Sequence, residues 1–87
     1  MEHHQHTKAV LNRTSRAIGH LGAIKGMIEE GRDCSEILIQ LSAVRAEING
    51  IGRVILQDHM EHCITHAVKE NDEEAVARLI KAIDQFI

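Results

Sequence analysis

Proline, tryptophan and tyrosine are absent from the 87 residues, and the one aromatic side chain is Phe86. Without proline, no residue interrupts a helix by withholding its backbone donor. An apolar content drawn from Leu, Ile, Val and Ala then favours long helices over sheets, so an all-α fold is predicted. Long apolar runs are missing as well, which excludes a bilayer span. The start, Met1 to His6, is polar and His-rich rather than an apolar signal segment, so a cytoplasmic protein with no membrane partner is expected. Only two cysteines are present. In a chain without a secretion signal they read as reduced thiols, available as ligands or reactive groups rather than committed to a disulfide.

Basic excess is the next thing lacking: ten Lys and Arg stand against thirteen Asp and Glu, a formal charge of −3. A nucleic-acid contact must therefore come from a local basic face. There is also no set of nucleophile, base and oxyanion donor, and no phosphate-binding glycine loop, so no enzyme activity and no small-molecule substrate are expected. The length allows one domain, residues 1–87, with 1–6 as a flexible tail. A chain this short has a modest core, which makes association with other copies an early expectation.

What is present is helical periodicity. Val10, Thr14, Ala17, Leu21, Ile24 and Ile28 recur at three- and four-residue steps, predicting a helix over about 7–30 that Gly31 can end in a left-handed conformation. Asp33 with Glu36 three residues on resembles an N-cap and its return partner, placing Cys34 in the first turn of a second helix. That helix carries Ile37, Leu41, Val44, Ile48, Ile51 and Ile55 in unbroken phase and is predicted to run to about Lys69. Gly50 and Gly52 weaken it by about 1 kcal/mol each relative to alanine, which leaves a break at Asn49-Gly50 as the competing geometry. Asn71 with Glu74 caps a short third helix whose buried stripe is Val76, Leu79, Ile80, Ile83 and Phe86.

His59 and Cys63 lie four apart, one turn above each other on the second helix, and suit one ion held between imidazole and thiolate. Along a continuous helix Cys34 is 25 residues before His59, about 37 Å away and out of reach within one chain. Two antiparallel copies crossing near Ile48 would bring Cys34 of one opposite His59 and Cys63 of the other, and a two-fold makes two such sites. A hairpin turning at 49–52 would instead bring Cys34 near Cys63 in one chain. Arg13, Arg16 and His20 share a face of the first helix, and Arg45 and Arg53 lie on the second. Taken alone, His20 reads as a surface residue, His62 and His66 as exposed helix residues, and Met27 and Met60 as core packing.

The segments Leu11-Asn12-Arg13, Arg16-Ala17-Ile18-Gly19, Asp33-Cys34, Gln40-Leu41-Ser42-Ala43-Val44-Arg45 and His59-Met60-Glu61-His62-Cys63 resemble the copper-sensitive operon repressors and their nickel/cobalt- and formaldehyde-responsive relatives, over nearly the whole chain. The resemblance implies a three-helix protomer with two long helices and one short, an antiparallel four-helix-bundle dimer, and a tetramer. It also implies an apo form that binds operator DNA and releases it when ligand binds, with Arg13, Arg16, Arg45 and Arg53 as the basic residues that reach phosphates. The metal ligands of the copper branch fall on Cys34, contributed by the neighbouring protomer, and on His59 and Cys63. Two thiolates and one imidazole suit three-coordinate Cu(I). Ni(II) or Zn(II) would want a fourth donor, which His3, His4 or His6 can supply as in the nickel/cobalt branch. The formaldehyde branch resembles the chain at Cys34 and His59 but generally lacks the thiol at Cys63. Where copper sensors carry a tyrosine and a third-helix glutamate, this chain has Asp33 and Arg78. A metal-binding bundle without DNA binding is the alternative outside the repressor class.

Overall fold

The computed structural model describes residues 7–58 and 65–87, apart from the side chain of Ala67. Helix α1 spans Thr7–Glu29 and α2 spans Cys34–Asp58, followed by the five-residue α3, Thr65–Lys69, and by α4, Glu73–Phe86. Among the described residues there is no strand, so the all-α plan read from the periodicity is the one observed; the second predicted helix is described as α2 up to Asp58 and as α3 from Thr65, and the stretch between lies outside the described residues. Residues 1–6, the predicted tail, lie outside the described residues, as do His59, Met60, His62 and Cys63.

The turn between α1 and α2 is short because both helix ends are closed by local bonds. Gly31 sits at φ +72°, and its N–H donates to Ile28 O at 3.1 Å while Arg32 N–H donates to Met27 O at 3.0 Å. This is a Schellman ending, and the positive φ is what requires glycine. Asp33 then caps α2, its carboxylate accepting from Ser35 N at 3.2 Å and from the Ser35 hydroxyl. These bonds to the ionised form, the hydroxyl first, hold the Asp33 carboxyl below its usual range. The reciprocal bond expected of Glu36 is replaced: its carboxylate takes Arg32 Nε at 3.2 Å, a charge-assisted partner one turn back.

Helix α2 passes through Gly50 and Gly52 without a break, which rules out the hairpin at 49–52. The two helices run antiparallel in a register that sets Arg13 beside Gly50 and His20 between Gln40 and Glu47. Val10, Ala17 and Ile24 repeat every seven residues along α1 and, with Val44 of α2, form the buried core. The remaining seam positions are only partly covered. Ile37, Ile51 and Ile55 are half-buried, whereas Leu21, Ile28, Leu41 and Ile48 are exposed.

The N-cap of the third predicted helix falls one residue later than expected. Asn71 adopts φ +57° and terminates α3, a conformation that asparagine tolerates better than most residues. Asp72 takes over as N-cap, accepting from Ala75 N at 3.0 Å. Helix α4 lies against the C-terminal half of α2, where the Phe86 ring rests on Gly52 so closely that a Cβ there would overlap it. The expected buried stripe is corrected on this point: Val76, Leu79 and Ile83 are half-buried, and Ile80 and Phe86 are exposed. One chain offers too little surface to cover them.

Candidate functional site

Cys34 is a free, exposed thiol in the first turn of α2. Its place on the helix matters more than its exposure. Seven-residue steps from Cys34 lead to Leu41 and Ile48, so the thiol heads the row of α2 side chains that the chain leaves uncovered. Leu21 (50% exposed) and Ile28 (58%) of α1 continue the same apolar flank.

Asp58, the residue before His59, is 24 positions along α2 from Cys34, about 36 Å at 1.5 Å per residue. Cys63 follows Asp58 by five residues, which span at most about 18 Å fully extended. Cys34 therefore cannot meet His59 or Cys63 of its own chain. Among the described residues no three His, Cys, Asp or Glu side chains converge on a metal position, and two of the three expected donors lie outside them.

The arginines expected at phosphates separate into two groups. Arg13 and Arg16 are exposed on α1, and Arg13 lays its guanidinium over α2, with Nη1 3.3 Å from where a Cβ of Gly50 would stand. Arg45 and Arg53 are exposed on α2. Their helical phase differs from that of Val44 by about 100° and 180°, so they do not join the Arg13 flank. Arg78 is exposed on α4 and faces Glu74 one turn back at 4.0 Å. His66 is exposed on α3, as expected, and Met27 is half-buried.

Two features escaped the sequence reading. His20 is a half-buried bridge rather than a surface residue, with Nδ1 3.0 Å from Glu47 Oε2 and Nε2 2.7 Å from Gln40 Oε1. Its position three residues from the buried Ala17, on the flank it shares with Arg13, was the available signal. Asp58 is buried to 1% exposure. It stands two seven-residue steps beyond Val44 on the inward line, so its phase foretold burial while its charge suggested the reverse.

Comparison with known proteins places these observations. Residues 6–85 match the family model of metal-sensitive transcriptional repressors. The chain belongs to that family. Against the copper-sensing transcriptional repressor CsoR of Bacillus subtilis it is 36% identical over 78 residues, covering 88% of this chain and 77% of that protein. The structure of the copper-sensing repressor CsoR with Cu(I) from Geobacillus thermodenitrificans superposes with a TM-score of 0.83 at 32% identity, covering 91% of this chain and 83% of that one. The nickel-responsive transcriptional regulator InrS gives 0.77 at 43% identity, covering 93% and 92%. Membership in a repressor family agrees with the regulatory, non-enzymatic reading. Among the described residues no helix is long and apolar enough to cross a membrane.

Proposed function

We propose that this metal-sensitive repressor binds operator DNA in its apo form and is released by Cu(I), held by Cys34 of one protomer with His59 and Cys63 of its neighbour. The observation that carries the reading is the unbroken α2, which separates Cys34 from the residue preceding His59 by about 36 Å, so that a site using all three donors draws Cys34 from a second chain. The open flank headed by Cys34 suits an antiparallel partner, because a two-fold there covers Leu41 and Ile48 and forms two equivalent sites at once. Two thiolates and one imidazole are soft donors, and Cu(I) bound to them needs no fourth ligand. Capture across the interface favours one dimer geometry over another, and that preference is what a metal signal can transmit.

The proposed assembly is an antiparallel four-helix-bundle dimer paired into a tetramer, acting in the cytoplasm. A tetramer presents several copies of Arg13, Arg16, Arg45 and Arg53 to phosphates, which offsets the acidic net charge of one chain. Linkage makes the coupling reciprocal: operator DNA lowers metal affinity by the factor by which metal lowers DNA affinity.

The 43% identity to nickel-responsive InrS favours a second reading, in which Ni(II) takes the same three donors plus His3, His4 or His6. Both readings meet in one anaerobic experiment, mixing the protein with its own promoter fragment and adding Cu(I), Ni(II) or Zn(II). Release by Cu(I) alone supports the first. Release by Ni(II), with visible absorption bands from thiolate-bound nickel, supports the second. Binding that no metal relieves, or no binding at all, overturns the sensor.

A further inference from the structure

The flank of the α1–α2 hairpin opposite Cys34 carries a polar cluster that contains none of the proposed metal donors. His20 of α1 reaches α2 with both ring nitrogens, to Gln40 Oε1 at 2.7 Å and to Glu47 Oε2 at 3.0 Å. Gln40 and Glu47 are seven residues apart, so the imidazole bridges two turns of the facing helix. Its side chain is 25% exposed and that of Glu47 39%, open enough to exchange protons with water yet partly shielded by the helices.

We infer that His20 is a proton-operated latch, joining α1 to α2 through Gln40 and Glu47 when the ring is protonated and loosening when it is not. A neutral imidazole has one N–H, whereas two oxygen acceptors face this ring. Gln40 can turn its amide and donate to an unprotonated Nε2, so that contact alone does not select the charged ring. Glu47 does so through its charge: the neutral Nδ1–H tautomer can also donate to it, but only the imidazolium is attracted as an ion and makes the stronger, charge-assisted bond that holds the latch. The bonds to Gln40 and then Glu47 hold the His20 imidazole above its ordinary value, with partial burial opposing them. The other charges on this flank are Arg16, one turn before His20, Arg13, two turns before it, and on α2 Glu36, one turn before Gln40 and paired with Arg32. The two arginines disfavour the imidazolium, Glu36 favours it weakly from farther off, and none of the three is among its bonded partners. Protonation also cancels the Glu47 charge beside these two arginines.

The sign follows from linkage. A folded value above the unfolded one means that the latch's contribution is complete below about pH 6.5 and is lost as pH rises through the folded value. The test uses the full chain, His20→Gln and Glu47→Gln. NMR titration of the histidine ring protons, with the His20 signal assigned by its loss in His20→Gln, is expected to give a midpoint above about 6.5 that moves down in Glu47→Gln. The gap in thermal midpoint between the wild type and Glu47→Gln should shrink as pH climbs through the His20 midpoint. A His20 midpoint at or below about 6.5, a midpoint that Glu47→Gln leaves unchanged, or a gap independent of pH would overturn the latch.

Discussion

On one flank of the α1–α2 hairpin the side chains find partners inside the chain, and on the other they do not. The first flank has His20 bonded to Gln40 and Glu47, and Arg13 lying over Gly50. On the second, Leu21, Ile28, Leu41 and Ile48 remain exposed in a row headed by the Cys34 thiol. Polar groups can be satisfied by water or by one well-placed neighbour, whereas an apolar row loses water only under another apolar surface. The difference therefore separates what a single chain completes from what it leaves open, and the thiol lies on the open side.

The largest effect should come from placing a charge on the open flank. Ile48 stands near the middle of α2 and is 48% exposed. In Ile48→Glu the single chain keeps its hairpin, but two carboxylates meet at a dyad near residue 48, where burying an unpaired charge costs several kcal/mol. Sedimentation should report a monomer that no longer binds Cu(I) tightly even though all three donors remain. An intact dimer would show that the partner seats elsewhere and would remove the basis for a shared site.

Truncation at the hairpin's own contact comes next. Ile24 is 1% exposed, on the inward line of α1 with Val10 and Ala17. Ile24→Ala should lower stability by about 2–5 kcal/mol in denaturant titrations, the range for a buried aliphatic side chain reduced to alanine. The same change at Ile28, which is 58% exposed within one chain, should cost as much only if a partner covers it. Comparing the two variants at high and low protein concentration measures how far the open flank is closed in solution.

Periodicity carried most of this architecture because it records which positions need cover. The limits of α1, the continuity of α2 through Gly50 and the termination at Gly31 were all legible as local chemistry. The cap of α4 was misplaced by one residue because Asn71 and Asp72 are both cap formers, and the choice depends on which residue must end α3. The bridge at His20 was not legible, since its partners lie 20 and 27 residues away and only the register of two helices brings them together. Cys34 stands in the first turn of α2, as the cap reading expected. Its distance in sequence from His59 and Cys63, the other donors of the proposed site, is what suggested a neighbouring chain, and no local motif carried that suggestion.

The two glycines of α2 sharpen the comparison further, and Gly52 has the larger effect. A Cβ at 52 would overlap the Phe86 ring, so the ring or the end of α4 must shift to admit it. Gly52→Ala should be destabilising by about 1–3 kcal/mol, as for overpacking elsewhere, less about 1 kcal/mol returned by helix propensity. Phe86 is the one phenylalanine in a chain without tyrosine or tryptophan, so its ring protons in an NMR spectrum report the displacement directly. Unchanged Phe86 shifts together with increased stability would mean that α4 does not rest there.

Gly50 should show the smallest effect, with the opposite sign. The nearest atom to its missing Cβ is Arg13 Nη1 at 3.3 Å, the far end of a flexible side chain. Yielding by a few tenths of an ångström costs a guanidinium little, while alanine favours the helix by about 0.8–1.0 kcal/mol over glycine. Gly50→Ala should therefore stabilise the chain by somewhat less than about 1 kcal/mol in denaturant titrations. If the substitution destabilises instead, Arg13 is held against α2 by more than packing, and its guanidinium is not free to swing toward a phosphate.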